Sequence, residues 1–139
     1  MGLAAGYVVP HSRVDASTLR ELAMTACMNA DISSSHAALQ VDLLMEAELR
    51  GRASHGLMRL PRIIERIANR VVDPAATGNH VWRGSLLEVD GQAGLGPVVA
   101  MNAIDAMTER VSTCGVCAAA IRNNNHLGML AWYAEHVAA

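Results

Sequence analysis

The chain has 139 residues, the size of one domain with a buried core, and a formal net charge of −2. That balance excludes strong electrostatic recruitment of nucleic acid, and no apolar run approaches the roughly 20 residues of a transmembrane helix. Only 17% of the residues are charged, against about a quarter in typical proteins, which indicates that a partner subunit or further chain covers some apolar faces.

Three helices are predicted in the first half of the chain. Apolar residues recur at helical spacing over three stretches, residues 15–31, 34–50 and 60–69. Asp15 or Ser17 can cap the first helix and Ser33 the second, and Gly51 stands where the second should end. Pro61 suits the first turn of the third helix, where a missing N–H costs nothing.

After residue 73 the pattern changes to strands and helices. Two short strands joined through Gly84 predict a hairpin, residues 80–83 and 86–90. A glycine-rich loop follows over residues 91–96, and a helix is predicted from Pro97 to just before Gly115. The unbroken apolar run 116–121 predicts a buried strand, and a last helix is expected from Gly128 onward.

The fold class predicted from this order is mixed α/β. We expect a helical subdomain over residues 1–73, followed over residues 74–139 by the first part of an α/β unit. A sheet of about three strands leaves edges that need pairing or cover. The chain is therefore expected to be an amino-terminal fragment of a larger protein.

The loop Ser54-His55-Gly56, with Arg59, is the first candidate for chemistry. His55 is of the residue type that exchanges protons near neutral pH, and the guanidinium fork of Arg59 suits a carboxylate. Reduction of a 2-oxoacid needs those two groups, and the hydroxyl of Ser54 can fix the imidazole tautomer. A structural alternative stays open, in which Ser54 caps the next helix and the other two are solvated.

The second candidate is the segment Asn123-Asn124-Asn125-His126-Leu127-Gly128. Asparagines form helix and strand poorly, and here they stand between a predicted strand and a helix. That position predicts a crevice at the strand end, the usual binding location in α/β sheets. The alternative is an ordinary asparagine-rich turn in which Asn125 caps the helix.

Two other motifs are weaker. Gly94-Leu95-Gly96-Pro97 lacks the third glycine of a dinucleotide loop, so a turn followed by a helix is the better interpretation. Cys114 and Cys117 have no second pair to complete a zinc site, so no metal is predicted. Three cysteines also do not make an even disulfide framework, which favours a reducing cytoplasm.

Taken together, four ordered blocks carry a resemblance to a known family. The blocks are residues 46–51 (EAELRG), 54–61 (SHGLMRLP), 90–96 (DG with Gly94 and Gly96) and 122–128 (RNNNHLG). In this order and spacing, the chain resembles the malate/L-lactate dehydrogenase family of the second type from about Leu19 to its last residue. That family is unrelated in fold to classical lactate dehydrogenase, and includes ureidoglycolate and sulfolactate dehydrogenases and piperideine-2-carboxylate reductase.

The resemblance implies a homodimeric enzyme that uses NAD or NADP on a sheet of non-Rossmann type. It implies that His55 exchanges the proton, that Ser54 hydrogen-bonds to it, and that Arg59 holds the substrate carboxylate. His126 would face the nicotinamide and substrate and is the other candidate for the acid/base. The cofactor would run beside a short stretch of the chain: His126, Leu127, Gly128, Met129 and Leu130.

The resemblance leaves the activity of the chain alone and the choice of substrate open. Family members are more than twice this length, so the chain is expected to be inactive alone. A non-catalytic helical assembly module derived from the same fold is the alternative function. The expected partner is a small carboxylate substrate, with neither nucleic acid nor membrane, but the choice among 2-hydroxyacids and imino acids, or between NAD and NADP, is not readable from the sequence.

Overall fold

The computed structural model describes residues 13–138; residues 1–12 and 139, the outer ends of the two predicted domains, lie outside it. The helical half contains α1 (Ala16–Met28), α2 (Ser34–Leu49) and α3 (Leu60–Ala68). Asp15 caps α1 by accepting from the N–H groups of Ser17 and Thr18, and Ser33 caps α2. Gly51 follows α2 with φ +69°, as its predicted place at the helix end requires.

The second half forms a three-stranded mixed sheet with two helices. Its elements are β1 (Asn79–Arg83), β2 (Leu86–Asp90), α4 (Gly96–Cys114), β3 (Ala118–Arg122) and α5 (Leu130–Ala138). β1 and β2 pair antiparallel as the predicted hairpin, and β3 pairs parallel to β2 after the α4 crossover. The mixed α/β class is confirmed.

Packing against α4 joins the two halves. Its first turn enters the helical core, where Val98 lies fully buried with Val41 of α2 and Ala23 of α1. The next residue, Val99, lies on the other face of α4 and packs against Leu87 of the sheet. The division at residue 73 stays a prediction, because one hydrophobic cluster draws residues from both sides of it.

Two expectations about the end of the chain are wrong. β3 lies at the edge of the described sheet. Its Ala118 and Ala120 are exposed, because no described helix packs on the face of the sheet opposite α4. α5 begins at Leu130 rather than at Gly128, whose φ of +74° breaks a helix. Within residues 13–138, the structure has no helix with the length and apolarity to span a bilayer.

Gly128 offers a stability prediction with a matched control. Gly128 and Gly115 share φ +74°, but a Cβ on Gly128 would lie 2.5 Å from Leu43 Cδ2, whereas one on Gly115 meets nothing within 4 Å. Both alanine variants place a side chain at the same positive φ, so the comparison between them reports mainly on the steric overlap at Gly128. We expect Gly128→Ala to lower the free energy of unfolding by about 1–3 kcal/mol more than Gly115→Ala in urea titrations. Equal losses would contradict this packing.

Candidate functional site

The loop between α2 and α3 is fixed by one carboxylate of α2. Residues 53–55 and 57–59 form two short 3₁₀ turns, and Oε2 of Glu48 accepts from the Leu57 N–H at 3.1 Å. A Cβ on Gly56 would lie 2.3 Å from that same oxygen, so only glycine lets the chain pass so close. Glu48 therefore sets the course of the backbone that presents Ser54, His55 and Arg59.

Within this loop the three candidate side chains are linked. Ser54 Oγ lies 3.0 Å from His55 Nδ1, and Arg59 Nε donates to the Ser54 carbonyl at 2.7 Å. The bond to Nδ1 leaves Nε2 of His55 as the ring nitrogen open to a ligand. Ser54 does not cap the following helix, because its hydroxyl is directed to the imidazole.

The asparagine segment lies on the glycine-rich loop and continues the pairing of β2 with β3. Gly91 donates its N–H to the Arg122 carbonyl, and Ala93 donates to that of Asn123, both at 2.8 Å. A Cβ on Gly96 would lie 2.1 Å from the His126 carbonyl oxygen. Glycine is required in this loop for close backbone approach, not for a phosphate cradle.

Asn125 anchors the segment with its side chain. Its Nδ2 donates to the carbonyls of Ala93 and Gly94, and its Oδ1 accepts from Arg66 of α3 at 2.9 Å. Asn125 is thus a bridge between the glycine-rich loop and α3, not the cap of α5. Through it the end of β3 is held beside the helical half.

These two anchored segments bring the candidate histidines together. The ring centroids of His55 and His126 are 5.6 Å apart, with 34° between the ring planes. Although His126 as a residue is exposed, partial burial of its ring lowers its pKa, and the positive charge of Arg59 and the nearby His55 lower it further. His126 is therefore biased toward the neutral form near neutral pH.

Titration of His126 by NMR tests this arrangement. We expect its pKa below that of a free histidine and expect Arg59→Ala to raise it only in part, because the larger effect, burial, remains. Since the unfolded chain then binds more protons, stability falls as the pH drops from about 6.5 through the pKa of folded His126. A His126 pKa at or above that of a free histidine would contradict the geometry.

A cleft of about 320 Å³ opens beside His126. Arg59, Arg62 and Arg66 line it from successive turns at the start of α3 and along it, and they make it cationic. The buried Gln40 of α2 and Asn124 also line this cleft. Oδ1 of Asn124 is buried without a hydrogen-bond partner among residues 13–138, so an acceptor is available there.

Sequence reasoning missed three of the polar residues that line the cleft, namely Gln40, Arg62 and Arg66. Spacing of three and four places Arg59, Arg62 and Arg66 on one helix face, a pattern that could have been read from the sequence. Nothing in the sequence shows that Gln40, from α2, faces the same space.

The remaining predicted cofactor residues run from the cleft into α5. Leu127 and Met129 pack on the cluster of Leu43 and Trp132, and the Leu127 carbonyl accepts from Tyr133 Oη at 2.6 Å. Leu130, in contrast, is 65% exposed. This segment is therefore packed against the cluster through Leu127 and Met129, whereas Leu130 is exposed to solvent.

The described residues contain no group of three or more histidine, cysteine or acidic side chains placed to bind a metal ion. Cys114 and Cys117 stand before β3, whereas His126 follows its other end. A metal site combining Cys114, Cys117 and His126 is therefore not supported by their placement.

Comparison with known proteins identifies the family of the chain. The profile of the malate/L-lactate dehydrogenase family matches residues 14–139. A dehydrogenase from Sinorhizobium meliloti is 44% identical, with a TM-score of 0.88 over 90% of this chain and 40% of that one. Malate dehydrogenase from Pyrococcus horikoshii OT3 is 28% identical, with a TM-score of 0.86 over 95% of this chain and 38% of that one.

Among curated relatives, the L-sulfolactate dehydrogenase of Methanocaldococcus jannaschii is 30% identical over 75% of this chain and 30% of its own length. The L-lactate dehydrogenase of Cupriavidus necator is 29% identical over 91% of this chain and 37% of its own. The chain thus spans about a third of the length of the curated relatives it matches.

Proposed function

The chain belongs to the malate/L-lactate dehydrogenase family, and from that premise we propose that it carries the substrate-binding part of an oxidoreductase site for small 2-hydroxyacids. The observation that carries this proposal is that Arg59 and His126 line one cationic cleft, with the ring of His55 5.6 Å from that of His126. An acid/base beside a carboxylate-binding guanidinium is the pair that interconversion of a 2-hydroxyacid and a 2-oxoacid requires.

In the proposed reaction Arg59 binds the substrate carboxylate and thereby fixes the position of the neighbouring carbonyl. Protonated His55 donates its Nε2 proton to the carbonyl oxygen as the carbonyl carbon is reduced, and takes that proton back in the oxidation. Ser54, 3.0 Å from Nδ1, holds the imidazole in the orientation this transfer needs. Cationic α3 attracts the anionic substrate into the cleft.

A nicotinamide cofactor, NAD or NADP, supplies or accepts the hydride when bound. The residues proposed to lie along it are His126, Leu127, Gly128, Met129 and Leu130. The buried acceptor of Asn124 fits a donor such as the carboxamide of nicotinamide. A neutral His126 would not repel the positively charged ring of an oxidised nicotinamide. Those two features support the fit of such a cofactor.

The assembly and location are proposed on surface features. Leu49, Met58 and Leu130 are each about two-thirds exposed near the loop and the start of α5, which supports cover by a second subunit in a homodimer. The three cysteines are free thiols, which supports a reducing cytoplasm. The division into a helical part to residue 73 and an α/β part beyond it is retained as part of the proposal.

A chimera tests the proposed function. Residues 14–139 would replace the matched segment of the Sinorhizobium meliloti dehydrogenase, which is 44% identical. We expect the chimera to catalyse NAD(P)H-dependent reduction of at least one of pyruvate, oxaloacetate and related 2-oxoacids. A folded chimera without activity on any 2-oxoacid that the intact Sinorhizobium enzyme reduces would contradict the proposal.

We expect the 139-residue chain alone not to turn over substrate, because it spans only about a third of the length of the relatives it matches. Purified chain that oxidises NAD(P)H with pyruvate or oxaloacetate at enzyme-like rates would contradict this expectation.

A further inference from the structure

Two thiols face each other across a tight turn at the amino end of β3, away from the candidate site. Cys114 is the last residue of α4 and Cys117 stands just before β3, and their Sγ atoms are 3.2 Å apart. Gly115 makes the reversal with φ +74°, and the space beside it is open. The turn itself therefore holds the sulfurs together.

Solvent reaches this pair but not the third cysteine. Cys114 is exposed and Cys117 is half-buried, whereas Cys27 lies in the helical core with no exposed surface. Cys114 Sγ also faces the carbonyls of Arg110 at 3.4 Å and Val116 at 3.2 Å. No third metal-binding side chain is grouped with the two sulfurs among the described residues, so the pair does not form a closed metal site.

We propose that Cys114 and Cys117 form a site of reversible thiol oxidation, at which exchange with a low-molecular-weight disulfide such as oxidised glutathione joins the two sulfurs. The Cys114 thiolate attacks the glutathione disulfide and releases one reduced glutathione. The Cys117 thiolate then attacks Sγ of Cys114 and releases the second. Two thiols and one disulfide thus become one protein disulfide and two glutathione thiols.

The local geometry supports this order of steps. Burial, followed by the interaction with Cys114, raises the pKa of the Cys117 thiol, so the exposed Cys114 meets the external disulfide first. The sulfurs then need to approach by about 1.2 Å to reach the bond length of about 2.05 Å. Because the closed loop is very short, the bond constrains the unfolded chain little, and reduced glutathione reopens it by the reverse of the same two exchange steps.

Glutathione titration followed by mass spectrometry tests the proposal. The chain is equilibrated at pH 8 with mixtures of oxidised and reduced glutathione, quenched with an alkylating agent and cut with trypsin. Both thiols fall in one peptide, residues 111–122, between Arg110 and Arg122. We expect this peptide to lose two hydrogen atoms, with an effective thiol concentration at least about tenfold higher in the folded chain than in urea.

Single variants serve as controls. Cys114→Ser and Cys117→Ser are expected to retain glutathione as a mixed disulfide, since no second thiol displaces it, and Cys27 is expected to stay unmodified until the chain is unfolded. Retention of glutathione by the folded natural chain, absence of reaction at both thiols, or equal effective concentrations in folded and unfolded chain would each overturn the proposal.

Discussion

Replacing Arg59 by alanine is expected to lower kcat/KM of the Sinorhizobium chimera by about 10²- to 10³-fold, which corresponds to roughly 3–4 kcal/mol of transition-state binding. The guanidinium lines the cationic cleft, and its Nε is already held by the Ser54 carbonyl. That bond fixes the fork, so the side chain is preorganised for a carboxylate. Steady-state kinetics with a 2-oxoacid measure the loss.

Two further variants make this result specific. Arg59→Lys keeps the charge but not the planar fork, so we expect partial recovery at most. Arg52→Ala removes an exposed guanidinium just before the same loop and should change kcat/KM by less than about threefold. If Arg52→Ala and Arg59→Ala are equally harmful, general electrostatics rather than a carboxylate contact is responsible.

Replacing His55 by asparagine is expected to lower kcat by about 10²- to 10⁴-fold, the range that a positioned acid/base contributes. Nδ1 of this ring is held by Ser54, and the ring lies 5.6 Å from His126 in a half-buried loop. Loss of the proton donor should also abolish the fall in the reduction rate at high pH. Pre-steady-state rates over a range of pH separate this effect from product release.

His126→Asn is the comparison that assigns the two rings. With His126 biased to the neutral form by its surroundings, we expect its variant to retain the high-pH fall and to alter cofactor affinity more than kcat. If the fall at high pH disappears only when His126 is replaced, His126 is the acid/base and the roles proposed for the two histidines are exchanged. Ser54→Ala should act in the same direction as His55→Asn but more weakly, because it only releases the ring.

Most secondary-structure elements could be predicted because local rules determine them. Asp15 and Ser33 cap the first two helices, Gly84 lies in the hairpin turn, and Pro97 lies in the first turn of the long helix, as their residue types favour. β3 was predicted to be buried from its apolar run alone. Burial depends on what packs on both faces of a sheet, which a single strand's sequence does not contain.

The residues proposed for the candidate site could be chosen from the sequence by their type, but the way they come together could not be predicted. Ser54, His55, Arg59 and His126 are recognisable by type, yet their meeting depends on contacts between distant segments. Arg66 reaches Asn125 across 59 residues of sequence, and the backbone of Gly96 touches that of His126. Glu48 holds an ordinary helical position in the sequence, and only the fold brings its carboxylate to the Leu57 N–H.

The central claim is that His55 and His126 border one small-carboxylate site, and an NMR titration of the 139-residue chain tests it most directly. Oxamate, an analogue of a 2-oxoacid, is added while the ring resonances of all histidines are followed. We predict that the resonances of His55 and His126 shift together with one binding curve, that those of His80 and His136 do not, and that Arg59→Ala abolishes the shifts. Separate curves for the two rings, or unchanged rings at saturating oxamate, would contradict the account.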